Sequence, residues 1–345
     1  MMKAVIARGG GKIEMTDVPL PQPTAYQALC KIDACATCSG TDQKIVAGTL
    51  PWNTDYPGIL GHESVGHVVE IGKRVRNICP GDIFLRPTAV YHGDQLGDYF
   101  SLWGGFAEYG LVTDTQALLE DDADAQLNGY CAFQQKIPPG IAPADATMMI
   151  TLKECASFLA NVGAKFRKSL VILGSGPVAA GMTYFAKLYG MYPVIVIGRR
   201  DQPLAELRKI GADFTINNAT ENIVTKVKEI TSARGANLVV DCAGDAVLIT
   251  AANQLLAEDG RVAPYAVGHE FQYKLDRVPG PAAWEFVFAG PNEDVAHQYL
   301  LDLHRLNVLP LTSFYSHRLP FDQFLEGFEM LKNKQASKIV FEMET

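Results

Sequence analysis

The residues that most constrain this chain are 169–179, SLVILGSGPVA. Four apolar residues give way at once to glycine, serine and glycine, the pattern of a buried strand turning into a helix. Gly174 allows the tight turn. Gly176 lets the backbone approach a pyrophosphate, and Ala179 is small enough for helix and strand to pack closely. Pro177 and Val178 open the helix, whose free N–H groups and positive dipole end suit the phosphates. Alone this spacing is a weak signal. Its force comes from the alternating segments downstream: the strand YPVIVIG, the helix QPLAELRKIG, the strand DFTIN, the helix ENIVTKVKEITSARG, the strand NLVVDCAG, the helix ITAANQLLAEDG and the strand RVAPYAVG. Strands alternating with helices imply right-handed βαβ units and a parallel sheet, and so a dinucleotide domain over 151–295.

The remainder reads differently. The first 110 residues are short apolar runs bounded by Gly, Pro or Asp, the signature of irregular all-β structure with frequent turns, and the first domain, residues 1–150, is expected to be mainly β. After 295 the alternation stops, and a tail of two helices and the strand SKIVFEM completes that first domain. A length of 345 residues fits two such domains. The net charge of −8 argues against a nucleic-acid partner, which would need a basic stripe. No apolar run approaches the roughly 18 residues of a membrane span. The N-terminus lacks the apolar centre of a signal peptide, so a cytoplasmic location is expected. Seven cysteines in a long chain do not form a disulfide framework. The acidic run 120–124 reads as a solvated loop.

The end of the second strand bears on the cofactor. NAD-binding folds carry an acid there for the ribose hydroxyls. Here the strand ends at Gly198, followed by Arg199 and Arg200. Gly198 leaves room for a 2′-phosphate and two guanidinium groups can grip it, which favours NADP over NAD. The alternative is two solvated arginines on a turn.

Upstream, 35–42 reads CATCSGTD and 61–72 reads GHESVGHVVEIG. Cys38 and His62 are good zinc ligands, and Glu63 adds a carboxylate. Thr41 can carry a proton from a zinc-bound alcohol, and Asp42 can orient His62.

Through these residues the chain resembles the zinc-dependent alcohol dehydrogenases of the medium-chain dehydrogenase/reductase superfamily, near the threonine, sorbitol and glucose dehydrogenase branches. Gly61, His62, Glu63, Gly66, Gly72 and Val75 match the family's zinc signature, and 80–82 and 104–109 match later family segments. The resemblance implies a Rossmann domain inserted in a GroES-like catalytic domain, and a homodimer or homotetramer. It implies hydride transfer between an alcohol, polyol or sugar hydroxyl and the nicotinamide. The rival readings are a zinc-free reductase of the same superfamily and a non-catalytic NADP-binding protein.

Four departures from the family pattern matter. One extra residue separates Cys38 from Thr41, so strict counting puts Ser39 in the ligand position; thiolate chemistry favours Cys38. The family's further ligand lies about 24 residues before the phosphate turn, which lands on Met149 or Ile150. Glu154, one helical turn on, is the proposed substitute, with Cys155 and Glu63 as the other candidates. No cysteine falls between Cys79 and Cys131, so one catalytic zinc and no structural zinc are expected. Lys44 stands where some members have a proton-relaying histidine.

Overall fold

The computed structural model describes residues 1–50, 54–266 and 280–343. They divide into unit 1, residues 1–150 with 297–345, and unit 2, residues 151–296.

Unit 1 begins with β1 (Met2–Gly9), β2 (Lys12–Val18) and β3 (Gln27–Ala36), then α1 (Ser39–Ala47). β4 (Gly58–Leu60), β5 (Glu63–Ile71), β6 (Ile83–Leu85), β7 (Gln95–Leu96), β8 (Tyr99–Leu102) and β9 (Tyr109–Thr113) come next, with α2 (Thr115–Asp121), β10 (Lys136–Ile137) and the start of α3 (Pro143–Asn161), whose residues from 151 onward belong to unit 2. β2, β1, β4, β8 and β7 make a five-stranded sheet. The alternation of buried and accessible residues that marks a two-faced strand is clearest in β3, where Ile32 and Ala34 are buried and Lys31 and Asp33 are not.

Unit 2 contains β11 (Leu170–Leu173), α4 (Pro177–Leu188), β12 (Val194–Gly198), α5 (Asp201–Ile210), β13 (Phe214–Asn217), α6 (Ile223–Ile230), β14 (Ala236–Asp241), α7 (Ala246–Thr250), β15 (Leu256–Pro264) and β16 (Trp284–Phe286). Among its described residues every strand pair is parallel, in the order β13-β12-β11-β14-β15-β16. Read from β11 this is 3-2-1-4-5-6, the dinucleotide-binding order, and its reversal point lies between β11 and β14. The central strands β11 and β12 are apolar and buried along their whole length, as strands covered on both faces are, and Leu170 to Leu173 are wholly buried.

The chain ends with α8 (Glu293–Arg305), β17 (His317–Pro320), α9 (Phe324–Lys332) and β18 (Ile339–Glu342). β18 pairs with β3, so the tail completes the second sheet of unit 1, ordered β10-β6-β5-β3-β18-β17 with β9 also on β3. Phe324 packs 4.7 Å from both Phe106 and Phe341, joining early and late segments in one core. Each such side chain contributes about 1.5–3 kcal/mol by leaving water.

Two expectations from the sequence are corrected by the fold. The first 110 residues are not all strand and turn, since α1 lies among them. The helix expected over 249–260 ends early: α7 stops at Thr250, a 3-10 turn covers Ala252–Leu255, and β15 starts at Leu256. Leu256, Val262 and Ala263 are buried in the sheet, so tertiary burial overrides the helical spacing. The last two residues of the expected strand RVAPYAVG lie outside the described residues. Among the described residues, no helix is long and apolar enough to cross a membrane.

Candidate active site

Three strand ends converge in unit 1. Ala36, at the end of β3, pairs with Glu63 on β5 and with Val340 on β18. The Thr37 N–H donates to the Ile339 carbonyl at 2.9 Å, and the Ile339 N–H donates to Thr37 Oγ1 at 3.0 Å. That register brings together the residues just beyond the pairs: Cys38 after β3, His62 and Glu63 at the start of β5, and Lys338 before β18. The ligand atoms of Cys38, His62 and Glu63 lie within 4.8 Å of one another. A thiolate, an imidazole and a carboxylate at that separation form a donor set suited to zinc.

Cys38 sits at the N-cap of α1. The helix begins with Ser39 and Gly40, which absorb the extra residue between Cys38 and Thr41. Ser39 donates its hydroxyl to the Ser337 carbonyl at 2.6 Å. Thr41 Oγ1 lies 3.5 Å from Cys38 Sγ. Asp42 turns back, and its Oδ2 accepts from the Cys38 N–H at 2.8 Å. Its other oxygen stands 3.6 Å from His62 Nδ1, and both of these buried atoms lack a hydrogen-bond partner. An orphaned buried pair of this kind fits a histidine whose other nitrogen holds a metal while a carboxylate fixes its tautomer. Burial pushes the Asp42 carboxyl up to about 7, against the pull of His62. Burial and then the Glu63 charge raise the Cys38 thiol, while Lys338 opposes them.

Lys338 was not foreseen. It is 2% exposed, and its Nζ lies 2.5 Å from Glu63 Oε2, itself 2% exposed. Burial works against its charge, but Glu63 and Cys38 outweigh that and raise its pKa above the ordinary lysine value. Arg86 was also missed. Its Nη1 donates to the His62 carbonyl at 2.6 Å, and it is 4% exposed. Both are single cations inside apolar runs, SKIVFEM and IFLRPTAV. A lone charge within such a run signals a paired, buried group.

Glu154 and Cys155 belong to unit 2. The Tyr265 hydroxyl donates to Glu154 Oε2 at 2.7 Å. Cys155 is buried, and its sulfur would lie 2.7 Å from a Cβ at Gly181, so it packs tightly against α4.

In unit 2, Gly174 has φ +114, and a Cβ there would sit 3.2 Å from the Ala243 nitrogen across the sheet's reversal point. Nothing lies within 4 Å of a Cβ at Gly176, which leaves its backbone open to an approaching group. Pro177 and Val178 start α4, and Ala179 is buried. At Gly198 a Cβ would meet Ser175 Oγ at 2.6 Å, so the glycine is required by the Ser175 side chain packed over it. Arg199 and Arg200 are exposed, and among the described residues neither guanidinium has a hydrogen-bond or ion-pair partner. The neighbouring Asp201 carboxylate accepts from Asn217 Nδ2 at 2.6 Å.

The chain has relatives over its whole length. Residues 24–121 match the alcohol dehydrogenase GroES-like domain, and 177–279 the zinc-binding dehydrogenase family. An L-threonine 3-dehydrogenase of Pyrococcus horikoshii is 27% identical over 364 residues, covering 99% of this chain and 98% of that one. The sorbitol dehydrogenase of Ovis aries is 23% identical, with 99% and 96% covered. Among solved structures, alcohol dehydrogenase TADH from Thermus sp. ATN1 superposes with a TM-score of 0.81 at 23% identity, with 99% and 100% covered.

Proposed function

We propose that this chain, which has the zinc-binding alcohol dehydrogenase fold of the medium-chain dehydrogenase/reductase superfamily, is an NADP-preferring dehydrogenase that oxidises a hydroxyl of an alcohol, polyol or sugar. The observation that carries the reading is the grouping of Cys38, His62 and Glu63, with Thr41 against the sulfur. A bound zinc supplies Lewis acidity that makes a hydroxyl easier to deprotonate. Thr41 accepts the substrate hydroxyl proton and passes it outward. Asp42 stands beside His62 Nδ1, where it would fix the tautomer once a metal occupied the other nitrogen, and Lys338 holds the Glu63 carboxylate in place. The net reaction takes an alcohol and NADP⁺ to a carbonyl compound, NADPH and a proton, and it runs equally in reverse.

The NADP preference rests on the free, exposed guanidinium groups of Arg199 and Arg200 and on the absence of an acid at Gly198. The relatives named for threonine and sorbitol act on hydroxyl-bearing substrates, and that supports the substrate class. We assign Glu154 as the further metal ligand: Tyr265 already orients its carboxylate, as outer partners of metal ligands do. The chain works as a homodimer or homotetramer, which light scattering reads directly.

The test is metal analysis of the purified protein, followed by absorbance of reduced nicotinamide over a panel of sugar alcohols, sugars and secondary alcohols with NADP and NAD. One zinc per chain and turnover are expected. A metal-free protein that reduces activated double bonds would instead be the zinc-free reductase, and NADP binding without any turnover would make it a non-catalytic binder. Glu154→Ala should lose zinc and turnover while Cys155→Ala keeps both. The opposite outcome makes Cys155 the ligand.

A further inference from the structure

Eight non-glycine residues among those described have a positive φ. Six of them, Arg167, Ser232, Ala233, Asp259, Asn307 and Lys334, are exposed. The other two are Arg86 at φ 59 and Trp103 at φ 71, and both touch His62. A glycine adopts this conformation without strain, whereas a large side chain there is disfavoured. Where the backbone turns in solvent, a side chain is tolerated without consequence. Where it turns inside the protein, a bulky side chain persists because its surroundings hold it.

The contacts differ and complement each other. Arg86 follows β6, donates its N–H to the Ser64 carbonyl at 2.7 Å, and accepts from Gln134 Nε2 at 3.1 Å. Its guanidinium lies 5.5 Å from the Phe133 ring centre and reaches the His62 carbonyl. Trp103 bridges to Leu60, and its carbonyl accepts from Thr88 Oγ1 at 2.7 Å. Its ring centre lies 5.2 Å from that of the His62 imidazole, tilted by 55°. One residue therefore fixes the His62 backbone and the other packs on its ring. Gly61, at φ +107 and with no room for a Cβ beside Phe106, removes the remaining freedom on the N-terminal side.

We infer that Arg86 and Trp103 are positioning residues, a strained clamp that presets the His62 imidazole for the metal. The inference rests on the metal site proposed above. Metal-free full-length protein is titrated with zinc, and cobalt absorption spectra are recorded on the same samples. Arg86→Gly and Trp103→Gly remove backbone strain along with the side chain, so a purely structural role predicts a folded protein with unchanged metal binding. A clamp predicts zinc binding roughly ten- to a hundredfold weaker, with a shifted cobalt band. Arg86→Lys and Trp103→Phe should recover part of the affinity. Unchanged zinc affinity and an unchanged cobalt band in both glycine variants overturn the clamp. If Arg86→Gly fails to fold, Trp103→Gly and Arg86→Lys decide by the same criteria. An unmutated protein that binds neither zinc nor cobalt removes the proposed metal site itself, a different result from wild-type affinity in the variants.

Discussion

Lys338 and Arg200 are both cations at the ends of sheet elements, in opposite surroundings. Lys338 is buried, with Glu63 against it and Cys38 near it. Arg200 and its neighbour Arg199 stand in solvent at the end of β12 with no partner among the described residues. Taking a charge out of water costs several kcal/mol and has to be offset by a close opposite charge. Leaving one in water costs nothing and keeps it free for an anion from outside. The two regions thus divide the work: buried charges hold one another where a metal would sit, and exposed ones wait for a ligand. A substitution in the first region should show in folding stability. In the second it should show in binding alone.

The largest effect is expected at Lys338. Lys338→Met leaves the Glu63 carboxylate buried without its partner, and loss of one member of a buried pair costs about 3–5 kcal/mol. Urea unfolding of the metal-free protein measures it. Glu63→Gln in the same chain should restore most of the loss, because the stranded charge is then gone. If Lys338→Met alone unfolds at the wild-type midpoint, the pair carries no weight and the contrast with Arg200 collapses.

Arg199→Ala with Arg200→Ala should do the reverse. Exposed side chains without partners change stability by within about 0.5 kcal/mol. Charge-assisted bonds to a 2′-phosphate are worth about 2 kcal/mol, roughly thirtyfold in the KM for NADP. The KM for NAD should stay where it was. Equal losses for both cofactors would mean that the arginines do not read the 2′-phosphate.

These two regions also differ in how well the sequence exposes them. The parallel sheet was legible because strand, glycine turn and helix are local patterns, and 169–198 carries two strands and a helix almost without interruption. Cys38, His62 and Glu63 were legible as residue types, since thiol, imidazole and carboxylate have few uses side by side. Lys338 was not, because 275 residues separate it from Glu63 and only the pairing of β18 with β3 brings them together. Arg86 was hidden for a related reason: its left-handed backbone is set by bonds to Ser64 and Gln134, which no local pattern encodes. Gly198 was read as space for a phosphate, whereas in the fold it accommodates Ser175. A glycine records that something comes close without naming what.

Asp114 sharpens the comparison from a third side, as a buried charge without a countercharge against it. It is 3% exposed, and its Oδ2 accepts from the backbone N–H groups of Arg76 and Asn77, both at 2.8 Å. Its Oδ1 accepts from the Ala117 N–H at 3.0 Å, capping α2, and from Asn77 Nδ2 at 3.0 Å. Burial alone would raise its pKa, yet the bonds from Asn77, Ala117 and Arg76 bring it below the ordinary value of 3.8. Peptide dipoles therefore do here what Lys338 does for Glu63. Asp114→Asn presents one acceptor oxygen in place of two and orphans backbone donors, at about 1–3 kcal/mol. Because the folded pKa is depressed, the ionised Asp114 contributes its full stability above about pH 4, the unfolded value. That contribution is lost as pH falls through the folded pKa. The stability gap between wild type and Asp114→Asn, read by urea unfolding, should be constant from about pH 8 to pH 5 and shrink below about pH 4. A gap that stays constant into acid would show that the aspartate acts through its shape and not its charge.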